Sequence, residues 1–352
     1  MVEGGHVSLN AWWRRGLVAL ALTLLPIPVM AQNVQAGPIL SAVRARNQLV
    51  CGASPGVAGF GAPDSQGHYR GFDPDICRAI TAAIFGDASR IRFVPLTSQA
   101  RIPALQSGEV DIVVRTFTWT MSREAGAGLQ FGPTVFFDGQ GFLVRRSANI
   151  QRAADLNGAT ICTVSGSTNE LNLADWARTN NLDIRTLVFE QNEATLAAYE
   201  SGRCDSYTFD ASQLAAHRSA FTNPDDHAIL PDIISKEPLT PAIRKGDQQW
   251  FDVMRWTVHA LMLAEELGVT QANAEEMLQS TNPDVRRLLG VTGDFGPMLG
   301  LDRRWAYHAI RAVGNYGEIY HRHLGPETPI RLERGLNNLW TRGGLIYAPP
   351  MR

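Results

Sequence analysis

Along the chain, short apolar runs bounded by turn residues alternate with stretches in which apolar positions return every three or four residues. The first complete unit is easy to follow. An apolar strand over Leu49–Ala53 leads to a helix in which Asp73 can cap, Pro74 fits the first helical position, Ile76, Ile80 and Ile84 share a face, and Gly86 supplies the stop. A second strand, Ile91–Pro95, follows. The unit is therefore βαβ, and its repetition predicts an α/β fold with parallel-rich sheets flanked by helices. The stretch Ala104-Leu-Gln-Ser-Gly-Glu-Val-Asp111 returns as Ala198-Tyr-Glu-Ser-Gly-Arg-Cys-Asp205, in each case a helix end, a glycine C-cap and a strand. Two lobes built alike are predicted, against the plainer alternative that Ser-Gly-x-x-Asp is a common exit from a helix into a strand.

Length and charge narrow the function classes. A chain of 352 residues has room for two domains of roughly 150 residues each. Its 32 Lys and Arg balance 34 Asp and Glu without a basic run, which removes the electrostatic footprint of a nucleic-acid binder. With 45% apolar and 19% charged residues it is an ordinary globular composition. At the N-terminus, Arg14 and Arg15 precede an apolar stretch ending in Val29-Met30-Ala31, a small-x-small cleavage pattern, so residues 1–31 read as a cleavable signal peptide. The stretch carries Pro26 and Pro28 and falls short of the about 20 residues a membrane span needs. No Cys precedes Cys51, so the mature protein is expected to be free of a lipid anchor. In an exported chain, Cys51, Cys77, Cys162 and Cys204 read as two disulfides. Three connectivities are open, the simplest pairing neighbours within each half, and each bond would contribute about 3 to 4 kcal/mol. The eight His show no ligand spacing, and no metal or other cofactor is expected.

Candidate chemistry gathers where strands end, the place where parallel α/β sheets hold ligands. Asp111-Ile-Val-Val runs into Arg115-Thr-Phe-Thr-Trp-Thr-Met-Ser-Arg123; Cys204-Asp-Ser-Tyr-Thr-Phe runs into Asp210, placed to cap the next helix. A third strand, 159–164, runs into Ser165-Gly-Ser-Thr-Asn-Glu170, where Ser167 and Glu170 have capping-box spacing at a helix N-terminus, an anion site in principle and in the plainer reading only a capped helix. Together these positions complement a zwitterion. Arg123, Thr116, Thr118 and Thr168 suit a carboxylate, and Asp210 suits an ammonium. At about 1.5 to 3 kcal/mol per charge-assisted bond, four or five contacts hold a molecule of roughly ten heavy atoms at about micromolar strength. The expected ligand is an amino acid. Trp250, Trp256, Trp305 and Trp340 fall at helical or turn positions and are expected in the core; Glu265 and Glu266 are expected on a solvated helix face.

From about Gln48 to the C-terminus the chain also resembles a known family. Gly71-Phe-Asp73, Leu105-Gln-Ser-Gly-Glu109, Ser167-Thr-Asn-Glu-Leu-Asn-Leu-Ala-Asp175, Ile233-Ile-Ser-Lys-Glu-Pro-Leu239, Gly246-Asp-Gln-Gln-Trp250, Val313-Gly-Asn-Tyr-Gly-Glu318 and Gly343-Gly-Leu-Ile-Tyr-Ala-Pro-Pro350 are similar to the periplasmic amino-acid-binding components of ABC transporters (solute-binding protein family 3), in particular the general L-amino-acid-binding subgroup. The resemblance implies a two-lobed periplasmic-binding-protein-like fold of type II, with two crossing strands joining lobe 1 (37–144 and 240–352) to lobe 2 (145–239). It implies a periplasmic monomer that captures L-amino acids, either over a broad range or with acidic and polar ones favoured, and delivers them to a membrane permease and its ATPase. Carried over by position, Arg123, Thr118 and Thr116 would bind the ligand α-carboxylate, Thr168 would be its second contact, with Ser167 beside it, and Asp210 would accept from the ammonium. Ser54 would line the pocket. Thr97-Ser-Gln-Ala-Arg101-Ile-Pro resembles the glutamate and aspartate binders, which places Arg101, with Arg115 nearby, against a side-chain carboxylate; the alternative for Arg101 is a surface residue on a helix's first turn. Phe117 and Met121 depart from the subgroup, and Phe117 either narrows the pocket or packs under it. Two rival functions share the fold: a periplasmic enzyme such as an amino-acid-like dehydratase, and a ligand-loaded sensor. The enzyme needs a general acid or base, and none of the three strand ends carries a His, although Glu170 and Asp210 are carboxylates.

Overall fold

The computed structural model describes residues 1, 2, 4, 5 and 37–352; the expected signal peptide lies almost wholly outside them. Among the described residues, no helix is long and apolar enough to cross a membrane.

Two five-stranded sheets organise the chain. In the first, Ile91–Pro95, Leu49–Ala53 and Ile112–Val113 run parallel, and Ala242–Arg244 and Leu129–Phe131 complete the sheet antiparallel. In the second, Arg185–Phe189, Thr160–Val164 and Ser206–Asp210 run parallel, followed by antiparallel Gln140–Arg145 and His227–Ile229. Central strands such as Leu49–Ala53 and Ser206–Asp210 are buried throughout, as strands covered by helices on both faces must be. The repeated Ser-Gly-x-x-Asp has the same meaning in each sheet. Gly108 and Gly202 turn the chain at φ 78° and 82°, after which Asp111 Oδ2 accepts from Val50 N and Asp205 Oδ2 from Thr160 N, both at 2.8 Å. A carboxylate thus pins the start of the neighbouring parallel strand in both halves.

The chain passes between the sheets twice, through Phe136–Asp138 and Glu237–Leu239, which pair antiparallel with Glu237 opposite Asp138. The crossing ladder ends at Asp138, and the next strand, Gln140–Arg145, builds the second sheet against Ser206–Asp210. The helix of the first βαβ unit also differs from expectation. It runs Phe72–Phe85, and Asp73 lies inside it with no capping role. Gly71 takes the N-cap position at φ 135°, where a Cβ would sit 2.5 Å from Phe60 O, so only glycine fits.

The C-terminal helices Gln248–Glu266, Trp305–Val313 and Tyr316–His323 pack on helix Phe72–Phe85. Trp250, Tyr316 and Tyr320 join Phe60, Phe72 and Phe136 in this core. Beyond them, Asn337 brackets the first crossing strand, accepting from Phe137 N at 2.6 Å and donating to Phe137 O at 3.1 Å. Trp340 is half exposed with its Nε1 on Glu266, and Glu265 is buried against Arg334 at 3.1 Å; the bulky Trp340 caps a surface turn, while the carboxylate has a guanidinium to pair with. Cys51 pairs with Cys77 and Cys162 with Cys204, Cα separations 6.5 and 5.7 Å, one disulfide beside each sheet.

Candidate functional site

Both sheets point their parallel-strand carboxyl ends at one cleft. Past Ile112–Val113 the chain carries Arg115, Thr116 and Thr118 to a one-turn π-helix, Ser122–Gly126, that presents Arg123. Past Thr160–Val164, Ser167 caps the helix Thr168–Thr179; past Ser206–Asp210, the strand ends on Asp210 itself. The two walls touch. Thr118 Oγ1 lies 3.4 Å from Thr168 Oγ1, Thr116 Oγ1 is 3.4 Å from Gln213 Oε1, and Arg123 Nη2 reaches 3.5 Å toward Gly166 O. Gly166, at φ 70°, is packed so close that a Cβ there would fall 2.6 Å from Gln99 Cγ.

On the first wall three guanidiniums share a small buried space. Phe117 is fully buried beneath them, with Arg101 and Arg123 Cζ at 4.4 and 4.8 Å from its ring and Phe131 edge-on at 5.3 Å. Phe117 therefore packs under the site and carries it; Met121 is 84% exposed and faces away. Arg101 is buried rather than on the surface, with Nε on Ser98 O and Nη1 on the carbonyls of Arg115 and Thr116 at 3.2 to 3.4 Å. Burial, reinforced by Arg115 and Arg123, pushes its guanidinium well below the usual value, with Asp210 and Glu237 opposing. Arg115 holds Ser98 Oγ at 3.2 Å, its buried Nε has no partner, and burial lowers it to about 10 against the pull of Asp73 and Glu193. Arg123 donates to Thr118 O at 2.8 Å. Thr116 sits at φ 39°, a conformation that β-branched residues avoid, held by its N–H on Asp73 Oδ2 at 3.1 Å. Ser54 is fully buried at the end of its strand, where its hydroxyl accepts from Gly56 N at 3.4 Å.

The second wall differs in detail from expectation. Ser167 caps as read, accepting from Glu170 N at 3.3 Å, but Glu170 reaches back to Gly166 N at 3.2 Å, one residue beyond a capping box. Asp210 occupies the N-cap position of its helix without bonding a helix N–H. Its oxygens are taken instead by Asn169 Nδ2 at 2.9 Å and Gln213 Nε2 at 2.7 Å. Burial, with Asp138 and Glu237 nearby, drives its carboxyl well above the usual range. A cation placed there would relieve that stress.

Sequence reasoning missed Glu237. Its carboxylate, almost fully buried, accepts from Thr118 Oγ1 at 2.6 Å, Thr168 Oγ1 at 2.7 Å, Ser235 Oγ at 2.7 Å and Asn172 Nδ2 at 2.8 Å. A hydroxyl has one proton, so Thr118 and Thr168 give theirs to Glu237 and offer lone pairs elsewhere. The two threonines are acceptors here, which suits an ammonium better than the carboxylate first assigned to them. Asn192 was missed as well: both its side-chain polar atoms are buried without a partner at the start of helix Asn192–Glu200. The motif Ser-Lys-Glu-Pro-Leu was visible and contains Ser235, but the other donors come from the Thr118 loop and the helix Thr168–Thr179, and no local pattern records that meeting.

A guanidinium and a carboxyl therefore face a shared cleft without bonding one another, each held by other partners. Arg123 feels the fields of Glu237 and Asp210, yet among the described residues no ion pair joins Arg123 to either. Comparison with known proteins agrees with a binding cleft. The profile of the bacterial extracellular solute-binding proteins, family 3, matches residues 49–273. The general L-amino acid-binding periplasmic protein AapJ of Rhizobium johnstonii is 50% identical over 89% of this chain and 92% of its own length. The glutamate/glutamine/aspartate/asparagine-binding protein BztA of Rhodobacter capsulatus is 47% identical over 96% of this chain and 98% of its own. An ABC transporter periplasmic binding protein from Brucella ovis, solved with glutathione bound, superposes with a TM-score of 0.87 at 50% identity, covering 89% of this chain and 99% of that one.

Proposed function

This chain belongs to the bacterial extracellular solute-binding proteins, family 3, and from that premise we propose that it captures L-amino acids in the periplasm, acidic and polar ones favoured, and hands them to the permease and ATPase of an ABC transporter. The observation that carries the reading is a buried guanidinium at Arg123, bonded to Thr118 O, and a buried carboxyl at Asp210, bonded to Asn169 and Gln213, on facing walls with no bond between the two. Arg123 takes the ligand α-carboxylate, with Ser167 and the N–H groups it caps on the facing wall. Asp210, Thr118 and Thr168 take the ammonium. Arg101, Arg115 and Ser54 line the side-chain end, Thr116 its edge. The lobes move about the crossing strands Phe136–Asp138 and Glu237–Leu239, with 37–135 and 240–352 on one side and 140–235 on the other. Ligand contacts to both walls favour the closed arrangement, and that difference in affinity drives closure. The protein acts as a monomer, by capture and not by chemistry.

The names of the relatives at 50% and 47% identity support amino acids as the substrate class. The glutathione in the Brucella ovis structure fits the same reading, because its γ-glutamyl end carries a free α-ammonium and α-carboxylate. The test is calorimetric titration of unfolded, ligand-stripped and refolded protein with the L-amino acids, several D-isomers and glutathione. Stoichiometric binding at micromolar strength or tighter, with the ligand recovered unchanged, is expected. Absence of binding across the panel overturns the proposal, and steady consumption of a ligand would establish an enzyme instead.

A further inference from the structure

Holding a ligand leaves Glu237 without an assigned task, although it is 1% exposed and opens the second crossing strand. Four donors on two oxygens use the full accepting capacity of a carboxylate. Those donors come from both sides of the cleft: Thr118 follows a strand of the first sheet, Thr168 and Asn172 lie on the helix that follows a strand of the second, and Ser235 leads into the crossing strand. We propose that Glu237 is the clasp of lobe closure, a positioning residue that joins the two walls and sets which way the Thr118 and Thr168 hydroxyls point. The proposal rests on reading the cleft as an amino-acid site.

The physical reason lies in what opening does to these bonds. Thr118 is tied to the first lobe's side of the crossing: Trp119 N donates to Pro238 O at 2.9 Å, Thr240 N donates to Phe117 O at 3.0 Å, and Thr118 forms a β-bridge with Leu239. Thr168 and Asn172 belong to the opposite wall. Glu237 can satisfy both sets only while the walls are together, so parting them leaves a buried carboxylate with part of its shell missing. That cost is specific to the open form and adds to whatever the ligand contributes. Because Glu237 holds the two hydroxyl protons, closing also presents two acceptors to the ammonium at the same moment.

Glu237→Gln keeps the size and loses the charge; Asn172→Ala removes one donor from the second wall and leaves Glu237 in place. Two readouts follow for wild type and both variants: the radius of gyration by solution X-ray scattering without ligand, and the L-glutamate dissociation rate by stopped-flow tryptophan fluorescence. Expected for Glu237→Gln are a more expanded unliganded protein and ten- to hundredfold faster dissociation with association little changed. Asn172→Ala should move both in the same direction by a smaller factor. Unliganded dimensions and dissociation rates equal to wild type in the variants overturn the clasp, even if melting temperature falls. If Glu237→Gln does not fold, Asn172→Ala decides alone. A wild type that binds no amino acid overturns the functional reading instead, and the unliganded scattering still tests the clasp.

Discussion

At the scale of single residues, the cleft works by withholding partners. Arg123→Ala should weaken every amino-acid ligand about ten- to a hundredfold, the value of one charge-assisted contact of about 1.5 to 3 kcal/mol, in the same titration. Asp210→Asn should weaken amino acids far more than their deaminated analogues; equal loss for both would remove Asp210 from the ammonium site. A pH effect belongs here as well. Burial raises Asp73 to about 7, against the pull of Thr116 N–H and Arg115. Its folded pKa lies above its unfolded one, so its contribution is full below about pH 4 and disappears as pH rises through about 7. The melting temperature of wild type should therefore fall relative to that of Asp73→Asn between about pH 4 and 7 and run parallel above it, with about 4 kcal/mol as the upper bound for three pKa units. That Arg123 and Thr118 follow one strand and that Asp210 closes another could be read in the sequence, because those offsets are local; what each does to a ligand is the proposal above. Glu237 and Asn192 were not legible, because their surroundings exist only after distant segments meet.

Among the elements, glycine-led turns decide how near the lobes come. Gly166 already has a left-handed φ, and its would-be Cβ collides with Gln99 backbone and side chain at 2.6 to 3.1 Å. Gly166→Ala should cost about 1 kcal/mol of strain and hold the walls apart, lowering L-glutamate affinity about tenfold or more while leaving each sheet intact by far-UV circular dichroism. Unchanged affinity would mean that the Gly166 turn is not pressed against Gln99 in the bound state. The βαβ units and the repeated helix-to-strand exit could be read in advance, since periodicity and capping residues are local. What escaped was where elements change sheets: Gln140–Arg145 reads as one more apolar strand, and only its pairing with Ser206–Asp210 assigns it a side. The start of helix Phe72–Phe85 was misjudged for a similar reason, since Gly71 is demanded by Phe60, eleven positions earlier in the chain.

Over the whole molecule, one pivot is shared by parts with different origins in the sequence. The crossing ribbon belongs to the middle of the chain, yet the bracket that Asn337 places on Phe137 comes from its last twentieth. Asn337→Ala should lower stability by about 1 to 2 kcal/mol in urea unfolding, through two lost bonds to the half-buried Phe137 backbone, and should accelerate ligand release as the ribbon loosens. A stability loss with an unaltered release rate would confine Asn337 to a structural role. The practical reach of that bracket is wide. Trimming the tail to make a smaller biosensor, or fusing a fluorophore there, would alter the stiffness of the very axle on which the proposed closure, the signal such a device reads, would turn.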